Sequence, residues 1–138
     1  MNSLADLSLV EAAQSIARRE ISPVELTTAY LERIVNLDVR LNCFITLTAE
    51  QALADAHQAG QALAKGTPLS PLHGIPLALK DLFETRGVRT TAGSTFFSEY
   101  IPEADAAVVE CLAPAGAVVL GKLNMLELAL GVTNVNPP

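Results

Sequence analysis

The chain has 138 residues, with 9 Lys+Arg against 15 Asp+Glu and a formal net charge of −6, a length that fits one domain. Half of the residues are apolar and only 17% are charged, which excludes disorder, since disorder needs low hydrophobicity and high charge. An acidic chain also repels phosphates, so direct nucleic-acid binding by bulk electrostatics is excluded as well.

The first half, residues 1–66, reads as helical. Ser8 and Glu11 form an S-x-x-E capping box, followed by an apolar stripe of Leu9, Ala12, Ala13, Ile16 and Ala17. Ser22, Pro23 and Glu25 repeat the start signal, with Pro23 where a missing N–H costs nothing. Leu26, Ala29, Tyr30, Ile34 and Leu37 give that second helix its face. A short strand over Phe44–Leu47 follows. Thr48 with Gln51 opens a third helix along Ala52, Leu53, Ala56, Ala59 and Leu63, which Gly66 and Pro68 end.

Residues 67–138 change character. Pro68, Pro71, Gly74 and Pro76 punctuate a loop, and Leu77–Leu79 runs apolar up to Lys80 and Asp81. Thr85 to Ser94 reads as too polar and glycine-rich for a core element. Asp105 is expected to cap a helix through Val108, Val109 and Leu112, with Pro114 stopping it. Ala117–Leu120 has the pattern of a strand buried on both faces, and Asn124 with Glu127 is expected to start a final helix. Helices alternating with short buried strands predict an α/β layered fold. The apolar excess suggests a face buried against another chain or a larger body.

Several chemistries can be weighed on single motifs. Gly116–Lys122 reads G-x-x-x-x-G-K, but Leu123 stands where a phosphate loop needs Ser or Thr, and the residues between are strand-forming. His57 and His73 have no partner at metal-ligand spacing, and no G-x-S-x-G elbow is present. Cys43 and Cys111 form no C-x-x-C pair and are expected to be buried free thiols. Met1–Ala5 lacks a basic and apolar leader, and no stretch is long enough for a membrane helix, so a cytoplasmic chain is expected. Lys80 stands apart. It ends an apolar strand before a Gly/Thr/Ser-rich loop, and strand ends in α/β folds open onto ligand crevices. A lysine in such a crevice is expected to lose hydration, which favours the neutral amine that can take a proton from a hydroxyl nucleophile. A solvated strand-end lysine paired with Asp81 is the alternative.

Four blocks taken together, Gly74-Ile75-Pro76-Leu77-Ala78-Leu79-Lys80-Asp81, Thr90-Thr91-Ala92-Gly93-Ser94, Asp105-Ala106-Ala107-Val108-Val109 and Gly121-Lys122-Leu123-Asn124-Met125, resemble the amidase signature family. The resemblance is strongest to the branch that holds bacterial amidases and the glutaminase subunits of tRNA-dependent amidotransferases, and it covers essentially the whole chain. It implies an α/β fold with helices packed on a mixed β-sheet, residues 1–138 being the N-terminal portion of one domain. It further implies amide hydrolysis by a Ser–cis-Ser–Lys triad with Lys80 as its lysine and no cofactor or metal. Thr91, Gly93, Ser94, Asn124 and Met125 would lie near the substrate pocket. Leu123 departs from the Thr common at that place in the family, and Pro114 from its Ala-rich helix end. The family's Gly/Ser-rich block is missing from these 138 residues, so the chain is expected to be inactive alone. Two alternatives stand beside this: a non-catalytic oligomerising or interaction module, and one half of a split amidotransferase completed by a partner chain. In the parent enzyme the partner is a small amide substrate, with neither nucleic acid nor membrane bound directly.

Overall fold

In the computed structural model, residues 3–66 and 70–131 are described; Pro68 and the stretch beyond residue 131 lie outside them. Helices α1 (Leu9–Ala17) and α2 (Pro23–Leu41) begin with the two capping boxes expected from sequence. In each, the serine Oγ accepts from the backbone N–H of the glutamate three residues on. The glutamate accepts in return from the serine N–H, at 2.8 Å in both boxes. Asn42, in the left-handed conformation, ends α2. Strand β1 (Phe44–Leu47) leads into α3 (Ala49–Ala64). Thr48 occupies the N-cap of α3 without a side-chain cap; its hydroxyl donates instead to the Val119 carbonyl.

Strand β2 (Pro76–Lys80), helix α4 (Ala107–Leu112) and strand β3 (Val118–Leu123) complete the regular elements. The sheet is mixed, in the order β1-β3-β2, with β1 antiparallel and β2 parallel to the central β3. Strand β3 draws its neighbours from both halves of the sequence. Both ladders slip register: Leu77 faces Val119, whereas Leu79 faces Lys122. The extra residue in β3 is a bulge, the device by which a strand bends and re-aims its side chains.

Two apolar clusters hold the helices to the sheet. One packs Leu31, Ala52 and Ala56 against Val118 and Leu120. The other joins Ala12, Ile16, Leu26 and Ile75. Tyr30 of α2 packs against both, so α2 links the two. The stripe of α3 is mostly alanine, which lets that helix lie close on the strands. The apolar face of α2 fades toward its end, where Leu37 is exposed and Val39 is 88% exposed. No helix of the described residues is long and apolar enough to cross a membrane.

Four expectations are corrected. The expected last helix is only a 3-10 turn over Glu127–Ala129, because Leu128 and Ala129 take positive φ values that break helical continuation. Asp105 does not cap α4; Ala106 does so without a side-chain bond, and the Asp105 carboxylate accepts from the Arg86 N–H at 2.6 Å. Cys43 and Cys111 are free but exposed, because each sits at or near the end of an element rather than under one. The 85–94 stretch contributes buried residues, namely Thr85, Thr90, Thr91 and Ser94, since each polar group there finds a partner.

Local geometry makes two glycines behave oppositely. A Cβ on Gly121 would lie 2.2 Å from the Thr46 carbonyl oxygen, at φ +154°. Gly121→Ala should therefore cost at least about 2 kcal/mol. Gly60, inside α3, has nothing nearer than 4.0 Å to such a Cβ, so Gly60→Ala should gain about 0.5–1 kcal/mol. Urea unfolding of both variants reads the contrast. In the capping boxes, hydrogen bonds from Ser8 and Ser22 hold the Glu11 and Glu25 carboxyls below their ordinary 4.5. The stability they contribute is thus present above pH 4.5 and lost as pH falls through the lower folded values. The urea midpoint should drop in that acid window, and less steeply in a Glu11→Gln/Glu25→Gln variant, whose amides still accept the bond.

Candidate active site

Side chains alternate at the end of β2: Leu79 is buried, Lys80 exposed and Asp81 buried. Lys80 and Asp81 thereby point to opposite faces of the sheet. The Lys80 face opens onto a cleft of about 420 Å³, lined by Lys80, Leu123, Asn124, Met125, Leu126, Ala129 and Gly131. Three residues singled out from sequence, Lys80, Asn124 and Met125, thus meet in one cleft.

The other three do not line it. They form the layer beside it. Thr91 gives its N–H and hydroxyl to Asp81 Oδ2, at 2.8 and 2.5 Å. Gly93 lies so close under the following loop that a Cβ would sit 2.6 Å from the Met125 carbonyl oxygen. Ser94 Oγ donates to Glu127 Oε1 at 2.6 Å, and Leu128 N–H to the Ala92 carbonyl at 2.8 Å. The 90–94 loop is thereby stitched to the 125–128 loop that walls the cleft. Asn124 is held from the other side: its N–H donates to the Cys43 carbonyl at 2.6 Å and its Nδ2 to the Asn42 carbonyl at 3.1 Å.

The lysine that loses its water is not Lys80 but Lys122. Both Lys122 and Asp81 are 0% exposed, and Lys122 Nζ lies 3.4 Å from Asp81 Oδ1. The same ammonium donates to the Phe83 carbonyl and to Thr90 Oγ1, each at 2.6 Å, so its three protons face three oxygens. Thr90 in turn donates to the Val88 carbonyl. Burial pushes the Lys122 ammonium below its ordinary value of 10.5, and the Asp81 carboxylate opposes that shift. Sequence reasoning met Lys122 as the end of a failed phosphate loop and inside a block of family resemblance, and gave it no role in the site. The signal was a lone cation closing an apolar strand pattern, opposite an Asp one residue past a parallel strand. Gly116–Lys122 is indeed no phosphate loop, since its latter part is the central strand.

A second cleft, of about 400 Å³, lies between α3 and α4 with His73 in its lining. His73 is buried, with Nε2 2.9 Å from the Ala59 carbonyl; that contact requires a proton on Nε2. His57 is exposed.

Removing one member of the Lys122–Asp81 pair leaves a buried charge uncompensated. Lys122→Met and Asp81→Asn should each cost about 3–5 kcal/mol. Their combination should cost less than the sum, because the two belong to one network. A double-mutant cycle by urea denaturation measures the difference; strict additivity would show that the pair does not act as a unit.

Comparison with known proteins gives the family. The family model described as Amidase matches residues 25–138. The A subunit of the glutamyl-tRNA(Gln) amidotransferase of Methylococcus capsulatus (strain Bath) is 54% identical over 127 residues, covering 92% of this chain and 26% of that protein. Among solved structures, the native peptide amidase of Stenotrophomonas maltophilia superimposes with a TM-score of 0.83 at 38% identity, over 89% of this chain and 26% of that one. A chain of an inhibitor-bound vestigial protein complex, tied to the origins of an s-triazine catabolic enzyme, gives 0.90 at 39% identity, over 94% and 29%. The chain spans about a quarter of the length of the curated relatives it matches. With a family model over most of its length, and solved amidase structures that superimpose on its fold, the chain belongs to the amidase family, whose chemistry is cleavage of amide carbon–nitrogen bonds.

Proposed function

We propose that this chain supplies the lysine of a Ser–cis-Ser–Lys triad for amide hydrolysis, with Lys80 as the proton relay and both serines coming from sequence outside these 138 residues. The observation that carries the reading is the placement of Lys80: at the end of β2, exposed, on a cleft it shares with Asn124 and Met125. In this mechanism the Lys80 amine takes a proton through the bridging serine as the nucleophilic serine attacks the amide carbon. The proton then returns to the departing nitrogen, leaving an acyl-enzyme that water cleaves. Lys80 alone has nothing to activate, so the isolated chain does not hydrolyse amides.

The substrate is a small primary or secondary amide entering from the open side of the cleft. The branch that acts with partner subunits on Glu-tRNA(Gln) is one parent of this kind, and a simple amidase is the other.

A second reading, self-association without catalysis, rests on the exposed Val35, Val39 and Leu41 of α2. Sedimentation of the chain alone tests it: a concentration-dependent dimer that Val39→Lys abolishes supports it, and a monomer at all concentrations removes it.

The catalytic reading is tested by replacing the matching quarter of the Stenotrophomonas peptide amidase with residues 1–138 and following ammonia release from an amidated dipeptide. The chimera should release ammonia, and Lys80→Ala in it should slow release by about 10²–10⁴-fold, the contribution of a positioned proton-transfer group. Undiminished release by Lys80→Ala would overturn the assignment. Lys80-dependent release by the 138-residue chain alone would overturn its inactivity.

A further inference from the structure

We infer that the buried Lys122–Asp81 pair is the device that positions Lys80, making Lys122 a positioning residue for the reaction. The inference rests on the proposed function and deepens it. The residue following Lys80 is hydrogen-bonded at every polar group but one. Its N–H donates to the Leu123 carbonyl at 3.1 Å, and its carbonyl accepts from Ala92 N–H at 3.1 Å. Its Oδ2 takes the two Thr91 bonds. Its Oδ1 has no hydrogen bond among the described residues and faces the Lys122 ammonium. The Lys80 carbonyl is itself bonded by Phe83 N–H at 3.0 Å, and the Phe83 carbonyl is one of the three acceptors around Lys122.

Lys122 therefore closes a ring through Asp81, Phe83 and Thr90, and Lys80 enters that ring by its backbone alone. This suits a relay lysine. Its four-carbon stem has several rotatable bonds, so the anchor must be rigid for the amine to reach one place, and a displacement of about 1 Å can cost about 10²-fold in rate. An apolar pair of equal volume could give as much stability. It could not give direction, because only the ammonium collects three oxygens from three points of the loop. The pair also balances charge. Without Lys122, the Asp81 carboxylate next to Lys80 would be uncompensated, and the nearby Glu84 adds to the negative field on that side. The described lining of the cleft carries no charge besides Lys80.

Two measurements test this. In the peptide-amidase chimera, Lys122→Met should lower kcat by about 10–100-fold with little change in KM. Lys122→Arg should recover part of the loss, and Lys122→Met/Asp81→Asn should be no worse than the poorer single variant. In the 138-residue chain, amine labelling by ethyl acetimidate at fixed mild alkaline pH, read by peptide mass mapping, compares Lys80 with Lys65. Lys122→Met should slow Lys80 about two- to five-fold through the freed carboxylate and leave Lys65 unchanged. Unchanged kcat with Lys80→Ala still inactive would overturn the positioning role and leave the triad reading standing. An active Lys80→Ala chimera would overturn both. Unchanged Lys80 labelling in a folded Lys122→Met chain, or equal slowing of both lysines, would also overturn the inference.

Discussion

Two opposite charges, Lys122 and Asp81, meet 3.4 Å apart with neither exposed to solvent, and much of the second half of the chain is arranged to make that tolerable. Removing an ammonium and a carboxylate from water costs several kcal/mol each, and their attraction offsets this only if the remaining protons and lone pairs are also met. The loop after β2 meets them. Thr91 covers one carboxylate oxygen twice, and Thr90 and the Phe83 carbonyl take the remaining ammonium protons. A segment with almost no regular structure thereby becomes one of the more constrained parts of the molecule. Its constraint comes from polar bonds rather than from apolar burial.

The apolar part of the molecule serves a different end. Small residues on α3 bring it close over Val118 and Leu120, which fixes the central strand from behind. Strand β3 carries that fixation forward, since its first residues belong to the core and its last ones to the buried pair and the cleft. A bulge separates the two parts. It marks where the strand changes from filling a core to aiming a cation.

How legible this was from sequence depends on what kind of signal each feature left. The capping boxes at Ser8 and Ser22 are local, three residues apart, and the structure has both. The strands at 44–47 and 76–80 were visible as short apolar runs bounded by turns. The meeting of Lys80, Asn124 and Met125 was legible only through family resemblance, because nothing local says that two strand ends far apart in the chain are neighbours. What stayed hidden was burial of polar groups. Thr90 and Thr91 read as part of a stretch too polar for a core element, because polarity usually goes with solvent. Their burial depends on partners, Lys122 and Asp81, that lie elsewhere in the sequence. The last helix failed for the opposite reason. Its Asn-x-x-Glu start signal was present, but the Asn124 and Glu127 side chains are engaged elsewhere: Asn124 with the Met125 N–H and the Asn42 carbonyl, Glu127 with Ser94.

The contrast between the two lysines carries the chemical argument one step further. Desolvation is one route to a reactive amine, and on that criterion Lys122 would be the candidate base. Yet Lys122 donates two hydrogen bonds, faces the Asp81 carboxylate and has no exposed surface, so no substrate or serine can approach. Lys80 has the reverse properties: an open cleft, and a backbone locked by its neighbours. A relay group must exchange protons with something that arrives, and access is therefore the stricter requirement. In this fold the water-excluding surface for Lys80 cannot come from the described residues, whose cleft is open on the lysine's side. Under the triad proposed above, the part that brings the nucleophile would also cover Lys80, and closing over it would desolvate the amine in the same step that supplies it with a proton to move.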